Sequence, residues 1–306
     1  MDLMDRRLLE VAFDAVEAGA GPLPEGLEAR VLAAAESARP VRHPGWGGAG
    51  AAPLDAFLQT AAELAVLLAT LGPADWSRPT PALDAPTVRG LVVHLAGVER
   101  YVLGQLGARP PLDAPTRERH VPVTREAAAE LLDEPGPDVA RAWWRAVLEV
   151  AAACGRASPA QPAGYHHLPG DARGLMVVRT FELWTHGDDI RAAIGRSLDP
   201  LDGPRLRLMS SELMAVLPIG LAVTGGARPG VSARLELTGA GGGTFLVPLA
   251  PDEEPGVPAV TITTPVIDLC RLAANRLPVA DLPVRVTGDA AVVGPILVGA
   301  GAFAMD

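Results

Sequence analysis

The stretch RTFELWTHGDDI, residues 179–190, combines helical spacing with a concentration of polar side chains. Glu182 and His186 stand four residues apart, so on an α-helix they project from the same face, one turn from each other. A carboxylate and an imidazole placed in this way can bind one metal ion together. An exposed polar ridge would show the same pair, so the spacing alone leaves both interpretations open.

Two further residues belong to the same face of this predicted helix. Arg179 lies three residues before Glu182, and Asp189 lies three residues after His186. Side chains that are three or four residues apart are neighbours on a helix, so Arg179 and Asp189 would be able to orient the two ligands by hydrogen bonds.

His94 is the third candidate ligand, and it lies in an otherwise apolar stretch, RGLVVHLAGVERY, residues 89–101. A histidine between Val93 and Leu95 must point inward or lie at the boundary of the core. A core histidine bonded to a backbone or carboxylate partner is one interpretation. Combined with an inward Glu and His on a facing helix, however, it predicts a metal site inside a helical bundle. Two imidazoles and a carboxylate favour zinc, with nickel or iron as alternatives, and leave open positions for water or substrate.

Outward from these stretches, apolar residues recur at helical spacing in four segments. Thr87 is the predicted N-cap of the second segment and Gly195 the predicted C-cap of the fourth. An antiparallel four-helix bundle is the simplest arrangement that buries all four apolar stripes. The predicted helices cover residues 55–71, 88–107, 138–154 and 173–194.

The composition and the residue pattern of the chain change on both sides of these four predicted helices. The first 53 residues contain two amphipathic stretches, 6–18 and 25–38, followed by a Gly- and Pro-rich linker, and predict a helical extension. Beyond residue 201 the sequence predicts a smaller α+β domain, because the alternation in SARLELTG is typical of a half-buried strand. Its other segments are a helix at 204–216, the strand-like TFLVPLA, AVTITT and LPVRVTGDA, and a helix at 265–275. The predicted domains are therefore 1–53, 54–200 and 201–306 of a mainly α protein.

Composition excludes several classes of function. The chain has no lysine, and 26 basic against 36 acidic residues give a net charge of −10. Without a basic stripe we expect no nucleic-acid partner, and without lysine there is neither a P-loop nor Schiff-base chemistry.

The start MDLMDRRLLE lacks the features of a signal peptide, and charges interrupt the apolar runs, so we expect a cytoplasmic protein with no membrane span. Cys154 and Cys270 lack a CxxC context, and we expect both to be buried and inert.

The two motifs resemble a known family when they are taken together. WSRPTPALDAPTVRGLVVHLAGVERY, followed about ninety residues later by RTFELWTHGDDIRAAIG, is similar to the paired motifs of the DinB-like, mycothiol-dependent maleylpyruvate isomerase family, over residues 54–195. The resemblance implies that His94, Glu182 and His186 bind the metal. It also implies a smaller C-terminal α+β domain, in which an arginine after a helix contributes to the active site. Arg276, in RLAANRLP, matches that arginine.

The resemblance implies a thiol-dependent reaction of a small electrophilic substrate, with mycothiol as the low-molecular-weight thiol. Three functional classes stand: a cis-trans isomerase that regenerates the thiol, a thiol S-transferase that does not, and a non-catalytic binding module. A monomer or a homodimer is expected. His166 and His167 fall outside the family pattern. A solvated loop is the favoured interpretation of this pair, and an acid/base facing the cleft is the alternative.

Overall fold

A computed structural model of the protein describes residues 52–80, 87–112, 117–165, 170–198 and 201–304. Two compact units are distinguished, Met1–Asp199 and Pro200–Asp306. The predicted N-terminal helices at 6–18 and 25–38 lie outside the described residues. Within the described ranges the chain is mostly helical, and it has a small mixed sheet in the second unit.

The first unit contains five α-helices in the part that the structure describes. Helix α1 begins with Pro53, whose fixed φ suits the first helical position. Thr87 caps α2 by accepting a hydrogen bond from the Gly90 amide at 3.1 Å, as the sequence predicted. Gly195 follows α5 with a φ of +73°, a conformation that glycine adopts without strain. The helices are α1 (Pro53–Ala69), α2 (Val88–Gln105), α3 (Arg117–Ala127), α4 (Gly136–Cys154) and α5 (Ala172–Ala193).

The apolar faces of these helices pack in pairs. Helix α1 packs against α5 and α4, while α2 packs mainly against α4 and α3. The four long helices lie where the periodicity predicted them. Helix α3 was missed, because its sequence RERHVPVTREA is polar and contains Pro122, which argues against a helix when only the sequence is considered.

The second unit consists of three helices and four strands within residues 201–304. The strands are β1 (Ser232–Thr238), β2 (Gly243–Pro248), β3 (Pro258–Pro265) and β4 (Arg285–Gly288), in the spatial order β2-β1-β3-β4. β1 pairs parallel with β3, and the other two pairings are antiparallel, with Leu235 opposite Phe245 and Ile262. The helices are α6 (Gly203–Val223), α7 (Val266–Ala273) and α8 (Val293–Ala300).

The alternation predicted for β1 is present in the structure. Ala233, Leu235 and Leu237 are buried, whereas Arg234 and Glu236 are half-buried on the opposite face. Helix α6 packs against β2, α7 and α8, so the apolar side of the sheet and these helices form the core of the unit. Short 3₁₀ turns complete the described chain at Asp75–Ser77, Ala129–Leu131, Val279–Asp281, Ala290–Val292 and Gly301–Phe303.

Helix α6 is longer than the sequence predicted, and among the described helices it is the one long and apolar enough to cross a membrane. Half of its most apolar window is buried inside the protein. A buried core helix has the same length and composition, so this feature is weak support for a span. The absence of a membrane segment stays a prediction.

Candidate metal centre

The three predicted ligands lie together in the first unit. One ligand atom from each of His94, Glu182 and His186 falls within 4.8 Å of the other two. His94 Nε2 lies 3.3 Å from Glu182 Oε1, and the two imidazole rings meet edge to face with centroids 5.8 Å apart. Both histidines are buried, and the Glu182 side chain is 13% exposed, so the cluster retains limited access to solvent.

This meeting follows from the helices that carry the residues. Helix α5 places Glu182 and His186 on one face by their four-residue spacing, as predicted. Helix α2 is apolar around His94, and its buried face turns the imidazole toward the interior of the unit. The structure thus brings together the three residues that the sequence singled out, and their binding of a metal stays a prediction.

His186 is oriented by a partner on its own helix. Its Nδ1 lies 3.0 Å from Asp189 Oδ2, three residues later. When Nδ1 donates its hydrogen to this carboxylate, Nε2 carries the lone pair that a metal requires. The predicted orienting role of Asp189 thus has the geometry that it needs.

His94 is oriented by a residue that sequence reasoning missed. Its Nδ1 lies 3.0 Å from Thr124 Oγ1 on α3, and the Thr124 hydroxyl donates its hydrogen to the Val121 carbonyl at 3.2 Å. The hydroxyl oxygen can therefore accept the hydrogen of His94 Nδ1, which leaves the lone pair on Nε2 beside Glu182. Thr124 lies in the helix that the sequence did not predict, so no local signal could have identified it.

Gly97 permits α3 to come this close to α2. A Cβ atom at residue 97 would lie 1.9 Å from the Thr124 carbonyl oxygen, far inside any real contact. Since Gly97 is one turn beyond His94, the absence of its side chain lets the Thr124 backbone reach the helix surface beside the histidine.

Glu182 is held through its other oxygen. Oε2 accepts hydrogen bonds from the Tyr165 hydroxyl and from Arg179 Nη1. Arg179 Nη2 donates in turn to Glu99 Oε1 at 2.7 Å, and the side chains of Arg179 and Glu99 are both 0% exposed. Tyr165 and Glu99 were not predicted, although Glu99 is a charged residue in an apolar helix and could have been noticed on that ground.

The protonation states suit a metal site. Burial lowers the pKa of His94, against the opposing effect of the Glu182 carboxylate, and favours the neutral imidazole that binds metals. Burial raises the pKa of Tyr165 well above its usual value, and the Glu182 charge acts in the same direction, so the hydroxyl remains a donor. Burial alone would lower the pKa of Arg179, but the carboxylates of Glu182 and Glu99 raise it, and the guanidinium is a cation.

The donor set fits a single divalent ion. Two ligands at about 2.0 to 2.1 Å from a tetrahedral metal lie about 3.4 Å apart. The His94 to Glu182 separation is 3.3 Å, and all three ligand atoms lie within 4.8 Å of one another. The chain supplies two nitrogens and one carboxylate oxygen, which is the donor set of open catalytic zinc sites. Within the described part of the chain, these three residues form the group of His, Cys, Asp or Glu side chains that could hold a metal ion.

The remaining predicted residues lie in different places. Arg276 belongs to the second unit, where it follows α7 and the left-handed Asn275 (φ 57°), and its Nη1 donates to the Ala274 carbonyl at 3.0 Å. His166 and His167 lie outside the described residues. Cys154 and Cys270 are buried free thiols, as predicted, and burial raises the pKa of each to about 12.

The chain is similar in sequence to one protein family and in fold to two solved structures. Residues 57–191 match the profile of the mycothiol maleylpyruvate isomerase N-terminal domain. No curated protein matches the sequence. Two solved structures have a similar fold, each with a TM-score of 0.53 and covering 78% of this chain and 92% of the other. They are the crystal structures of the mycothiol-dependent maleylpyruvate isomerase, 16% identical, and of a histidine-to-alanine mutant of it, 15% identical.

Proposed function

We propose that this chain is a metal-dependent enzyme that uses a low-molecular-weight thiol, because residues 57–191 match the profile of the mycothiol maleylpyruvate isomerase N-terminal domain. The activity that we favour is a cis-trans isomerisation like that of maleylpyruvate isomerase, with mycothiol as the thiol. The observation that carries the proposal is the cluster of His94, Glu182 and His186, with both imidazoles oriented by partners on Nδ1. Zinc is the metal that this donor set favours.

The chemistry of such a reaction is addition followed by elimination. When bound, a divalent metal would lower the pKa of a thiol, so that a thiolate is present at neutral pH. The thiolate forms a C–S bond with one carbon of a cis alkene conjugated to a carbonyl, and the alkene electrons move to the carbonyl oxygen. Rotation about the new single bond follows. The electrons then return from the oxygen, the alkene forms again, the C–S bond breaks, and the thiolate leaves the trans product.

The residues of the chain would prepare this site rather than react. His94, Glu182 and His186 would hold the metal, Asp189 and Arg179 would orient ligands, and burial of both histidines would limit the access of water. We include Arg276 as a residue that contacts the substrate, on the family resemblance alone. Its replacement by alanine should then reduce activity and leave the metal content unchanged.

The proposal extends to the fold. Pairwise packing of α1 with α5 and α4, and of α2 with α4, supports a DinB-like antiparallel four-helix bundle with the metal in its interior. The domain limits of 54–200 and 201–306 and a cytoplasmic location are parts of the same proposal.

The test begins with the purified protein reconstituted with Zn²⁺. Elemental analysis should find about one metal ion per chain, the ratio for a single three-ligand site. The loaded protein should convert maleylpyruvate to its trans isomer only when mycothiol is added. A reconstituted protein that holds no metal would show that the proposal is wrong.

The fate of the thiol separates the functional classes. An isomerase returns the thiol unchanged, whereas an S-transferase produces an adduct of substrate and thiol that mass spectrometry detects. Catalytic turnover with a constant thiol concentration therefore supports the isomerase. Stoichiometric loss of thiol into an adduct would show that the protein is a transferase and not an isomerase. Metal binding without either reaction would indicate a binding module.

A further inference from the structure

We propose that Glu99 is a positioning residue for Glu182, acting through the guanidinium of Arg179. The inference rests on the metal site of the proposed function and extends it to a residue that touches none of the three ligands in the contacts described. Glu99 Oε1 accepts from Arg179 Nη2 at 2.7 Å, and Arg179 Nη1 donates to Glu182 Oε2.

The burial of this pair points to a role other than stability. Both side chains are 0% exposed. Burial raises the pKa of Glu99 and the Arg179 guanidinium opposes that rise, so the ion pair forms at the expense of removing two charges from water. Buried ion pairs often contribute no more to stability than apolar residues of the same volume, because desolvation offsets their attraction. The ion pair therefore has little to offer the fold that apolar packing would not also supply.

The pair also connects the two elements that carry the ligands. Glu99 lies on α2, five residues beyond His94, and Arg179 lies on α5, three residues before Glu182. Helix α2 packs mainly against α4 and α3, and α5 packs mainly against α1. The Glu99 to Arg179 ion pair is thus a direct link between helices whose main packing partners differ.

Glu99 affects Glu182 by both geometry and charge. Arg179 forms ion pairs with two carboxylates, Glu99 on α2 and Glu182 in the cluster. With Glu99 ionised, the guanidinium is bonded to α2, and the negative charge of Glu99 offsets part of the field of Arg179 at Glu182. Removing the Glu99 charge leaves Glu182 as the principal counter-ion of Arg179, which weakens this carboxylate as a metal ligand.

The experiment measures zinc affinity by competition with a chromophoric chelator, on folded protein from which metal has been removed. Glu99→Gln keeps the shape and an acceptor oxygen for Arg179 but removes the charge. We expect zinc affinity to fall by about 10-fold, the lower end of the range for direct partners of metal ligands, because Glu99 acts through one further residue. Glu149→Gln is the matched control, because Glu149 forms an exposed ion pair with Arg109 in the same unit, and its affinity should equal that of the wild type.

A double-mutant cycle tests the route through Arg179. In an Arg179→Met background, the further change Glu99→Gln should no longer weaken zinc binding, since the guanidinium that transmits the effect is gone. An equal loss in both backgrounds would overturn the proposal. Thermal unfolding of the metal-free variants separates stability from affinity, and a fall in stability with unchanged zinc affinity would show that the pair is only structural.

The outcomes also separate this inference from the proposed function. Tight zinc binding by the wild type and by Glu99→Gln alike would overturn the inference and leave the metal site standing. A wild type that does not bind zinc would overturn both. If Glu99→Gln does not fold, Glu99→Asp replaces it: the charge stays but moves back by one methylene, and weaker zinc binding than in the Glu149→Gln control is again expected.

Discussion

Helices α5 and α2 contribute histidines to the same cluster, but they orient them in different ways. His186 finds its partner, Asp189, within one turn of its own helix. His94 depends on Thr124, which is 30 residues away on another helix. The orientation of His186 is therefore a local property of α5, whereas that of His94 depends on the packing of α3 against α2. One ligand is prepared by helix formation and the other by tertiary structure.

Removing a metal ligand should have the largest effect on metal binding. It should do so whichever helix carries the ligand. His186→Ala leaves two ligands, and these rarely hold a divalent ion against water, so we expect loss of bound metal and of activity. Glu182→Gln should come close to this result, because it removes the anionic ligand. Elemental analysis and circular dichroism together check that metal is lost from a folded protein.

An opposite ranking would assign the site to a different face of α5. If His186→Ala and Glu182→Gln both kept their metal while Asp189→Asn lost it, Asp189 would be a ligand and the other two residues would not.

Weakening the local partner should have the next largest effect. Asp189→Asn keeps the shape of the side chain but replaces the charged carboxylate that accepts the His186 Nδ1 hydrogen with a neutral amide. We expect metal affinity or activity to fall by roughly 10 to 100-fold. Chelator competition and initial rates measure the two quantities. Full wild-type affinity in this variant would show that α5 orients His186 without help.

Weakening the tertiary partner should have a smaller effect on the folded protein. Thr124→Val removes the hydroxyl and keeps the branched shape, and a neutral hydroxyl contributes about half as much as a charged acceptor. We expect a loss of zinc affinity of about 10-fold, at the lower end of the range for such partners. Thr180→Val is the control, because the buried Thr180 hydroxyl bonds only to the Met176 carbonyl among the contacts described. A larger loss for Thr124→Val than for Asp189→Asn would reverse the comparison.

The same distinction explains how much could be predicted from sequence. Helical periodicity identified α1, α2, α4 and α5 and the faces that carry the ligands, because these patterns repeat within one element. Asp189 and Arg179 followed from spacing of three residues. Thr124 could not be found, since the polar α3 contains Pro122 and shows no apolar stripe.

Two other contacts of the site also depend on tertiary structure. Tyr165 precedes α5 in a loop, and no spacing rule connects it with Glu182. Glu99 lies in an apolar helix, where its charge is visible in the sequence, but its partner Arg179 is 80 residues away. Contacts within one helix could thus be predicted from spacing, and so could the meeting of the ligand-bearing faces of α2 and α5. The contacts of Thr124, Tyr165 and Glu99 with distant partners could not.

The smallest effect on activity is expected for the two cysteine thiols, which belong neither to α2 nor to α5. Burial raises the pKa of Cys154 and Cys270 to about 12, so neither is a thiolate at neutral pH, and the Glu99 charge adds to this effect at Cys154. Cys154→Ala combined with Cys270→Ala should therefore leave zinc affinity and thiol-dependent turnover unchanged, with a modest loss of stability from the two small cavities. In the native wild type, a thiol reagent at pH 8 should react with neither residue until denaturant is added. A folded double variant that binds zinc but has lost turnover would mean that the nucleophile is internal, and the dependence on an added thiol would have to be abandoned.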